Sequence, residues 1–170
     1  MNMHIRKAEF QDIDKITRLG MDLIFLHTEF EKDYYLLEEN ADMYFQSWVK
    51  SQLNSPSSFI LVAETDPDDN QQGNFTQGEK QVVGLISGFI KYLFPWFKVK
   101  KVGHISFMIV NPSYRQKGVG KMLESEAKKW FRSENIGFVE LYVDEKNSVG
   151  NKVWQNLGFL PFKNFLKKPI

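Results

Sequence analysis

Arg115, Lys117 and Lys121 interleave with Gly118 and Gly120 immediately ahead of an apolar-periodic stretch. That combination suits an anion. The first turn of a helix leaves about four N–H groups without partners, and the helix dipole adds partial positive charge there. Glycine lets the backbone approach a phosphate with no Cβ between them. A pyrophosphate is the guest this chemistry favours. No Gly-x-x-x-x-Gly-Lys-Ser/Thr string exists, so the P-loop is excluded. The dinucleotide fingerprint would need glycine at Leu123, although Glu140 and Asp144 stand at a suitable distance for a ribose contact. Residues 111–117 also separate strand from glycines, where a dinucleotide turn is tight. On this fragment alone, a glycine-containing helix entry with solvated basic residues stays open.

Other chemistries are excluded by what the chain lacks. It has no cysteine, so disulfides, thiolate catalysis and zinc–thiolate sites are ruled out. His4, His27 and His104 lie far apart and show no metal-ligand spacing, so no metal is expected. Net charge is +1 with both signs intermixed, unlike the basic stripe of a nucleic-acid binder. No apolar run approaches the ~20 residues of a membrane span, and residues 1–10 carry no signal-peptide core. A cytoplasmic protein without nucleic-acid or membrane partners is the expectation. At 170 residues, 42% apolar, one domain spanning 1–170 suffices.

The elements that must position the glycine loop follow from periodicity. Residues 4–7 suit a short strand. Asp12 can cap a helix carrying Ile13, Ile16, Leu19, Leu23 and Leu26 at helical spacing. Residues 30–53 continue in helical style until Asn54-Ser-Pro-Ser-Ser breaks the pattern. Residues 59–64 (FILVAE) and 81–92 (QVVGLISGFIKY) predict an antiparallel pair joined by a polar, mobile loop over 66–80, with Gly84 and Gly88 marking a bulge or close backbone approach. Residues 94–101 form a turn-rich excursion. Strands are predicted at 104–110, 138–143 and 162–166, and helices at 119–132 and 148–157. The order βααβββαβαβ makes an α/β domain with a mostly antiparallel first half.

Two longer strings sharpen the reading. Val110-Asn-Pro-Ser-Tyr-Arg-Gln-Lys-Gly-Val-Gly120 resembles the acetyl-CoA-binding motif of the GNAT family of N-acetyltransferases. Asn147-Ser-Val-Gly-Asn-Lys-Val-Trp154, followed by Gly158-Phe159, is similar to that family's later motif. The resemblance is specific over 104–159 and loose before residue 55. It implies a mixed, mostly antiparallel sheet flanked by helices with splayed central strands. It implies that the backbone of Met108, Ile109 and Val110 holds the pantetheine arm. The pyrophosphate then meets the amides of Gln116, Lys117, Gly118, Val119, Gly120 and Lys121, beside Arg115. Asn147 would contact the same arm, or serve only as an N-cap. The implied activity is acetyl transfer from acetyl-CoA to a primary amine of a small molecule by direct attack. A protein or peptide N-acetyltransferase and a CoA-binding module without catalysis remain alternatives. Dimers are frequent in the family, so a homodimer is allowed.

Two departures concern proton handling. The strand 104–110 has no carboxylate where many members place a glutamate base, and Trp154 stands where many place a tyrosine acid. His104 is the side chain near that strand whose ordinary pKa, about 6.5, suits a base at neutral pH; its plain alternative is a surface histidine at a strand start. Trp154 and the pair Trp130/Phe131 suit packing. The run Glu29, Glu31, Asp33, Glu38, Glu39, Asp42 is either a solvated helical face or a cleft attracting a cationic amine. Tyr34, Tyr35, Tyr44 and Trp48 either wall that cleft or belong to the core.

Overall fold

The computed structural model describes residues 2–66, 80–168 and 170. Five strands, β1 (Met3–Lys7), β2 (Ser58–Thr65), β3 (Gln81–Tyr92), β4 (Lys101–Val110) and β5 (Val139–Leu141), form one sheet in the order β1-β2-β3-β4-β5. The first four pair antiparallel, and β5 pairs parallel with β4. Helices α1 (Ile13–Phe30) and α2 (Ala41–Asn54) pack on one face, and α3 (Val119–Ser133) on the other; α4 (Ser148–Asn156) follows β5. The loop expected over 66–80 falls largely on residues 67–79, outside the described residues.

Period-two alternation sorts the strand side chains between the two faces. Ile60, Val62, Leu85 and Ile109 meet Ile13, Ile16, Leu19 and Val49 of α1 and α2. Phe59, Leu61, Ala63, Ile86 and Ile105 meet Val119, Leu123, Ala127 and Phe131 of α3. Because β2 is covered on both faces, it reads as an unbroken apolar run. Phe131 is fully buried and Trp130 packs on Phe59 at 4.7 Å, so this pair belongs to the core; truncating Phe131 to Ala would cost about 3–5 kcal/mol.

The structure departs from the sequence expectations in three places. The helical style of 30–53 is interrupted over 31–40. Leu36 there is 81% exposed, and Tyr34, Tyr35 and Tyr44 are exposed too, so no packed face rewards a continuous helix and these tyrosines are not core. Asp12 makes no side-chain cap to α1. It is buried instead, accepting from the Glu9 amide (2.8 Å) and from Arg6 (2.7 and 2.9 Å). Arg6 also bonds buried Glu64 (2.5 Å), so one guanidinium ties β1, β2 and the entry to α1 together. Burial is the largest influence and would raise the Asp12 carboxyl, but the Arg6 bonds, the Glu9 amide and the charges of Arg6 and Lys15 together hold it below its ordinary range. Finally, the strand expected at 162–166 does not form. Residues 160–168 make no backbone hydrogen bond to any described residue, and a strand without a ladder partner has nothing to hold it.

Candidate active site

The β4–β5 pairing covers only Gly103↔Val139, His104↔Glu140 and Ile105↔Leu141. Beyond Leu141 the chain leaves the sheet, while β4 continues to Val110. The outer edge of β4 therefore has no strand partner over Met108, Ile109 and Val110, and the two strands open a gap. At the vertex the register of β3 and β4 shifts: Ser87 faces Phe107 but Gly88 faces Ile105, which leaves Ser106 as the extra residue of a bulge. Gly88 permits it. A Cβ there would stand 2.8 Å from both the His104 carbonyl and the Phe59 ring.

The glycine loop closes the far end of this gap. Asn111 fixes its start: its amide bonds the Val83 carbonyl (2.8 Å) and its side chain accepts from Ser113 (3.0 Å). Arg115 turns back so that Nε bonds the Val110 carbonyl at 3.0 Å, and Lys117 lies over the Tyr114 ring at 5.1 Å. Gln116 and Gly118 both take positive φ, +59° and +82°. Gly118 is the N-cap of α3 and no side chain caps that helix, so its first amides, those of Val119, Gly120 and Lys121, lack acceptors within the helix. Gly120 faces the end of Met108, which is 3.4 Å from where its Cβ would stand. The interval 80–123 contains no Asp or Glu, and of its cations Lys80 and Lys91 are paired with Glu64 and Glu140 from other strands, while Arg115, Lys117 and Lys121 surround the glycine loop. The gap's surroundings thus favour a polyanion.

His104 is not a surface histidine at a strand start. It is 8% exposed and lies within β4, at the last rungs before the strands part. Phe89 and Tyr142 flank its ring at 5.0 and 5.1 Å. Its Nδ1 has no hydrogen-bond partner among the described residues, and the nearest charge is Glu140 Oε1 at 3.7 Å. Lys91 binds that same oxygen at 2.6 Å. Burial pushes the imidazole below its ordinary pKa, and Glu140 only partly restores it, so it is neutral at pH 7. Burial is the largest influence and would raise Glu140, but the Lys91 bond together with the charges of Lys91, His104 and Lys163 lowers it on balance and keeps it ionised. The carboxylate absent from β4 thus stands one strand away.

Asn147 caps α4, accepting from the Gly150 amide at 2.8 Å, so its oxygen is already engaged. Trp154 packs edge-on against Phe159 at 5.3 Å and joins the α3-side core. Gly158, at φ +92°, turns the chain out of α4 so that Phe159 can do so. On the opposite face a cleft of about 320 Å³ is lined by Trp48, Gln52, Ser55, Ser57, Ser58, Phe89 and Ser106. It touches the bulge and the ring beside His104. Trp48 itself stacks on Phe45 at 5.6 Å. Of the acidic run, Glu31 is the clamp. It pairs with Lys146 and with Lys167 (2.7 Å), which lower its carboxyl to about 2 and join the end of α1 to the β5–α4 loop and to segment 160–168.

Similarity to known proteins assigns this open mixed sheet, with its parting strands and uncapped, glycine-led helix, to the acyl-CoA-dependent acetyltransferases. The chain belongs to the acetyltransferase (GNAT) family, whose model matches residues 23–159. An uncharacterized N-acetyltransferase of Archaeoglobus fulgidus is 26% identical over 148 residues, covering 85% of this chain and 84% of that protein. The fold superimposes on a Bacillus halodurans protein solved as a tetramutant (TM-score 0.80, 19% identity, 98% and 99% of the two chains). It also superimposes on the aminoglycoside N-acetyltransferase AAC(6')-Iy in complex with CoA (TM-score 0.72, 16% identity, 99% and 95%). Among the described residues, no helix is long and apolar enough to cross a membrane.

Sequence reasoning missed Glu140, Lys91 and Tyr142 as neighbours of His104, and Ser106 and Phe89 as cleft residues. Only the alternation in V-E-L-Y pointed to Glu140 and Tyr142 sharing a face. That this face meets His104 depends on the β4–β5 register.

Proposed function

We propose that this enzyme, acting as one domain in the cytoplasm, transfers the acetyl group of acetyl-CoA to a primary amine of a small molecule. The carrying observation is the gap between β4 and β5, which ends at the uncapped start of α3. Acetyl-CoA lies in that gap. Main-chain groups of Met108 and Ile109 bind the pantetheine arm in the manner of an added strand. Val110 contributes less, because its carbonyl is held by Arg115. The amides of residues 116–121 take the pyrophosphate, and the Asn147 amide nitrogen reaches the arm from the side. The amine enters through the cleft of Trp48, Phe89 and Ser106 and attacks the thioester carbonyl directly. The C–N bond forms, the C–S bond breaks, and the thiolate takes its proton from water or the product.

His104 acts as the base that deprotonates the incoming ammonium, directly or through water. Its neutrality at pH 7 and its unengaged Nδ1 support this role. A small acceptor is favoured by the size of the cleft, about 320 Å³, and by the acetylation of aminoglycosides by structural neighbours such as AAC(6')-Iy. The test is thiol release from acetyl-CoA against polyamines, amino acids, aminoglycosides and short peptides. Turnover with a small amine and none with peptides is expected. Turnover only with peptides would move the assignment to a protein N-acetyltransferase, and binding without any turnover to a CoA-binding module.

A further inference from the structure

The cleft beside the vertex is built from two stretches of chain that contain no carboxylate. None of the 21 acidic residues falls in 43–63 or in 80–123. The first stretch supplies Trp48, Gln52 and the turn from α2 to β2; the second supplies Phe89 and Ser106. Every residue lining the cleft is uncharged. The acids seen elsewhere do not serve it. Glu140, beside His104, is paired with Lys91 at 2.6 Å. Glu31 is held by Lys146 and Lys167. Asp42 sits in the first turn of α2, about 15 Å from Gln52 along the helix axis. That is beyond the ~8 Å over which an exposed charge acts at physiological salt.

The turn from α2 to β2 satisfies itself. The Ser58 hydroxyl donates to the Gln52 carbonyl (2.8 Å), the Ser57 amide donates to the Ser55 hydroxyl (3.3 Å), and the hydroxyls of Ser55 and Ser57 lie 3.2 Å apart. The Ser106 hydroxyl and the Gln52 side-chain amide, in contrast, bond no described residue, and between them they both donate and accept. Trp48, stacked on Phe45 and tilted against Phe107 at 5.2 Å, is fixed as one apolar wall, and Phe89 is another. Such a lining recognises hydroxyls and C–H faces, and it has nothing to pair with a second cation. We infer that the acceptor is a monoamino sugar, one ammonium on a neutral, hydroxylated single ring, and that polyamines and aminoglycosides, which carry several ammoniums, are poor substrates.

Charge decides between these classes. An ammonium held in the cleft exchanges water for a lining that cannot pair with it, and an unpaired desolvated charge is costly. A monoamine escapes that cost, because its one nitrogen is delivered to His104 and gives up its proton there. Each further ammonium of a polycation stays charged and unpaired among Trp48, Phe89 and the serines. Hydroxyls, in contrast, exchange water for Ser106 and Gln52 at little net cost. Size points the same way. A cleft of about 320 Å³ stands at the lower end of small-molecule sites, roughly 300–1,000 Å³, which suits one ring. The inference rests on the function proposed above for the route of the amine, and it names the class of that amine.

Steady-state acetylation of glucosamine, phenethylamine, spermidine and neamine by the wild type, Gln52→Glu and Ser106→Ala tests the inference, together with calorimetric titration of glucosamine into the CoA-bound protein. The wild type should prefer glucosamine in kcat/KM by about tenfold, the penalty of one unsatisfied group. Gln52→Glu places a carboxylate in the cleft. It should raise kcat/KM for spermidine and neamine roughly fivefold, the worth of a half-exposed ion pair, and make that gain fade with added salt. Acetyl-CoA affinity should stay at the wild-type value. Ser106→Ala, which removes a hydroxyl and adds no charge, should weaken glucosamine several-fold and leave spermidine unchanged. A wild type that prefers spermidine or neamine would overturn the inference and leave the acetyltransferase reading intact. Preference for phenethylamine would overturn the hydroxylated body. If neither variant alters the preference, the acceptor binds elsewhere and the inference fails. Glucosamine that binds without being acetylated would keep the cleft assignment and remove the catalytic reading; no heat at millimolar glucosamine would overturn the assignment itself.

Discussion

Gly118→Ala puts two separate effects on one atom. At φ +82° a residue with a Cβ pays about 1 kcal/mol of backbone strain. In a chain of this size that lowers Tm by about 2–4 °C. No described atom lies within 4 Å of where the Cβ would stand, so the methyl clashes with nothing in the protein. It occupies the space in front of the first amides of α3, where a pyrophosphate oxygen is proposed to sit. Losing one hydrogen bond to a charged group costs about 1.5–3 kcal/mol, or roughly 10- to 150-fold in Kd. Calorimetric titration with acetyl-CoA and thermal unfolding measure the two effects independently. Gly118→Asn separates them further. Asparagine tolerates the left-handed region far better than alanine, so Tm should recover while affinity stays low. Gly120→Val should weaken binding as well, since its side chain grows into the gap beside Met108. A folded Gly118→Ala protein that binds acetyl-CoA as tightly as the wild type would refute the loop assignment. Recovery of binding in Gly118→Asn would show that strain, and not blocked approach, was responsible.

The remaining expectations can be taken together. The kcat/KM profile should rise with pH through a value below 6.5, because burial depresses His104 and the base acts when deprotonated. His104→Gln should abolish that limb and lower the rate, whereas Glu140→Gln should move the limb to still lower pH by removing the charge that favours imidazolium and leaving Lys91 uncompensated. If limb and rate both survive His104→Gln, the base lies elsewhere. Gly88→Ala should cost about 1–3 kcal/mol by overpacking, seen as a lower urea midpoint, because its methyl meets the His104 carbonyl and the Phe59 ring; an unchanged midpoint would show that the bulge yields freely. Arg6→Met should cost about 3–5 kcal/mol by stranding buried Asp12 and Glu64. The wild-type contribution of Asp12 is present above pH ~4, the ordinary carboxylate value, and is lost as pH falls through its lowered folded pKa. Acid titration of Arg6→Met should therefore show a shallower loss of stability than the wild type below that pH.

Local chemistry written along the chain made most of this protein legible in sequence. The apolar runs of β2 and β3, the helical stripes of α1 and α3, and the string Arg115-Gln-Lys-Gly-Val-Gly120 each carry their signal within about fifteen residues. The phosphate-binding end of the site was readable for the same reason: strand end, loop and helix start are contiguous. The left-handed conformations of Gln116 and Gly118 only completed what the glycines implied. The vertex was another matter. His104, Glu140, Lys91 and Tyr142 come from three strands, and no spacing in the chain says that residue 104 faces residue 140. That pairing exists because β5 joins β4 in parallel for three rungs and then departs. Burial likewise belongs to the tertiary structure, and it turned His104 from a strand-edge histidine into a neutral, depressed imidazole. Residues 162–166 failed as a strand for the converse reason. Their composition suits one, but a strand is stabilised by its ladder, and residues 160–168 make no backbone hydrogen bond to any described residue.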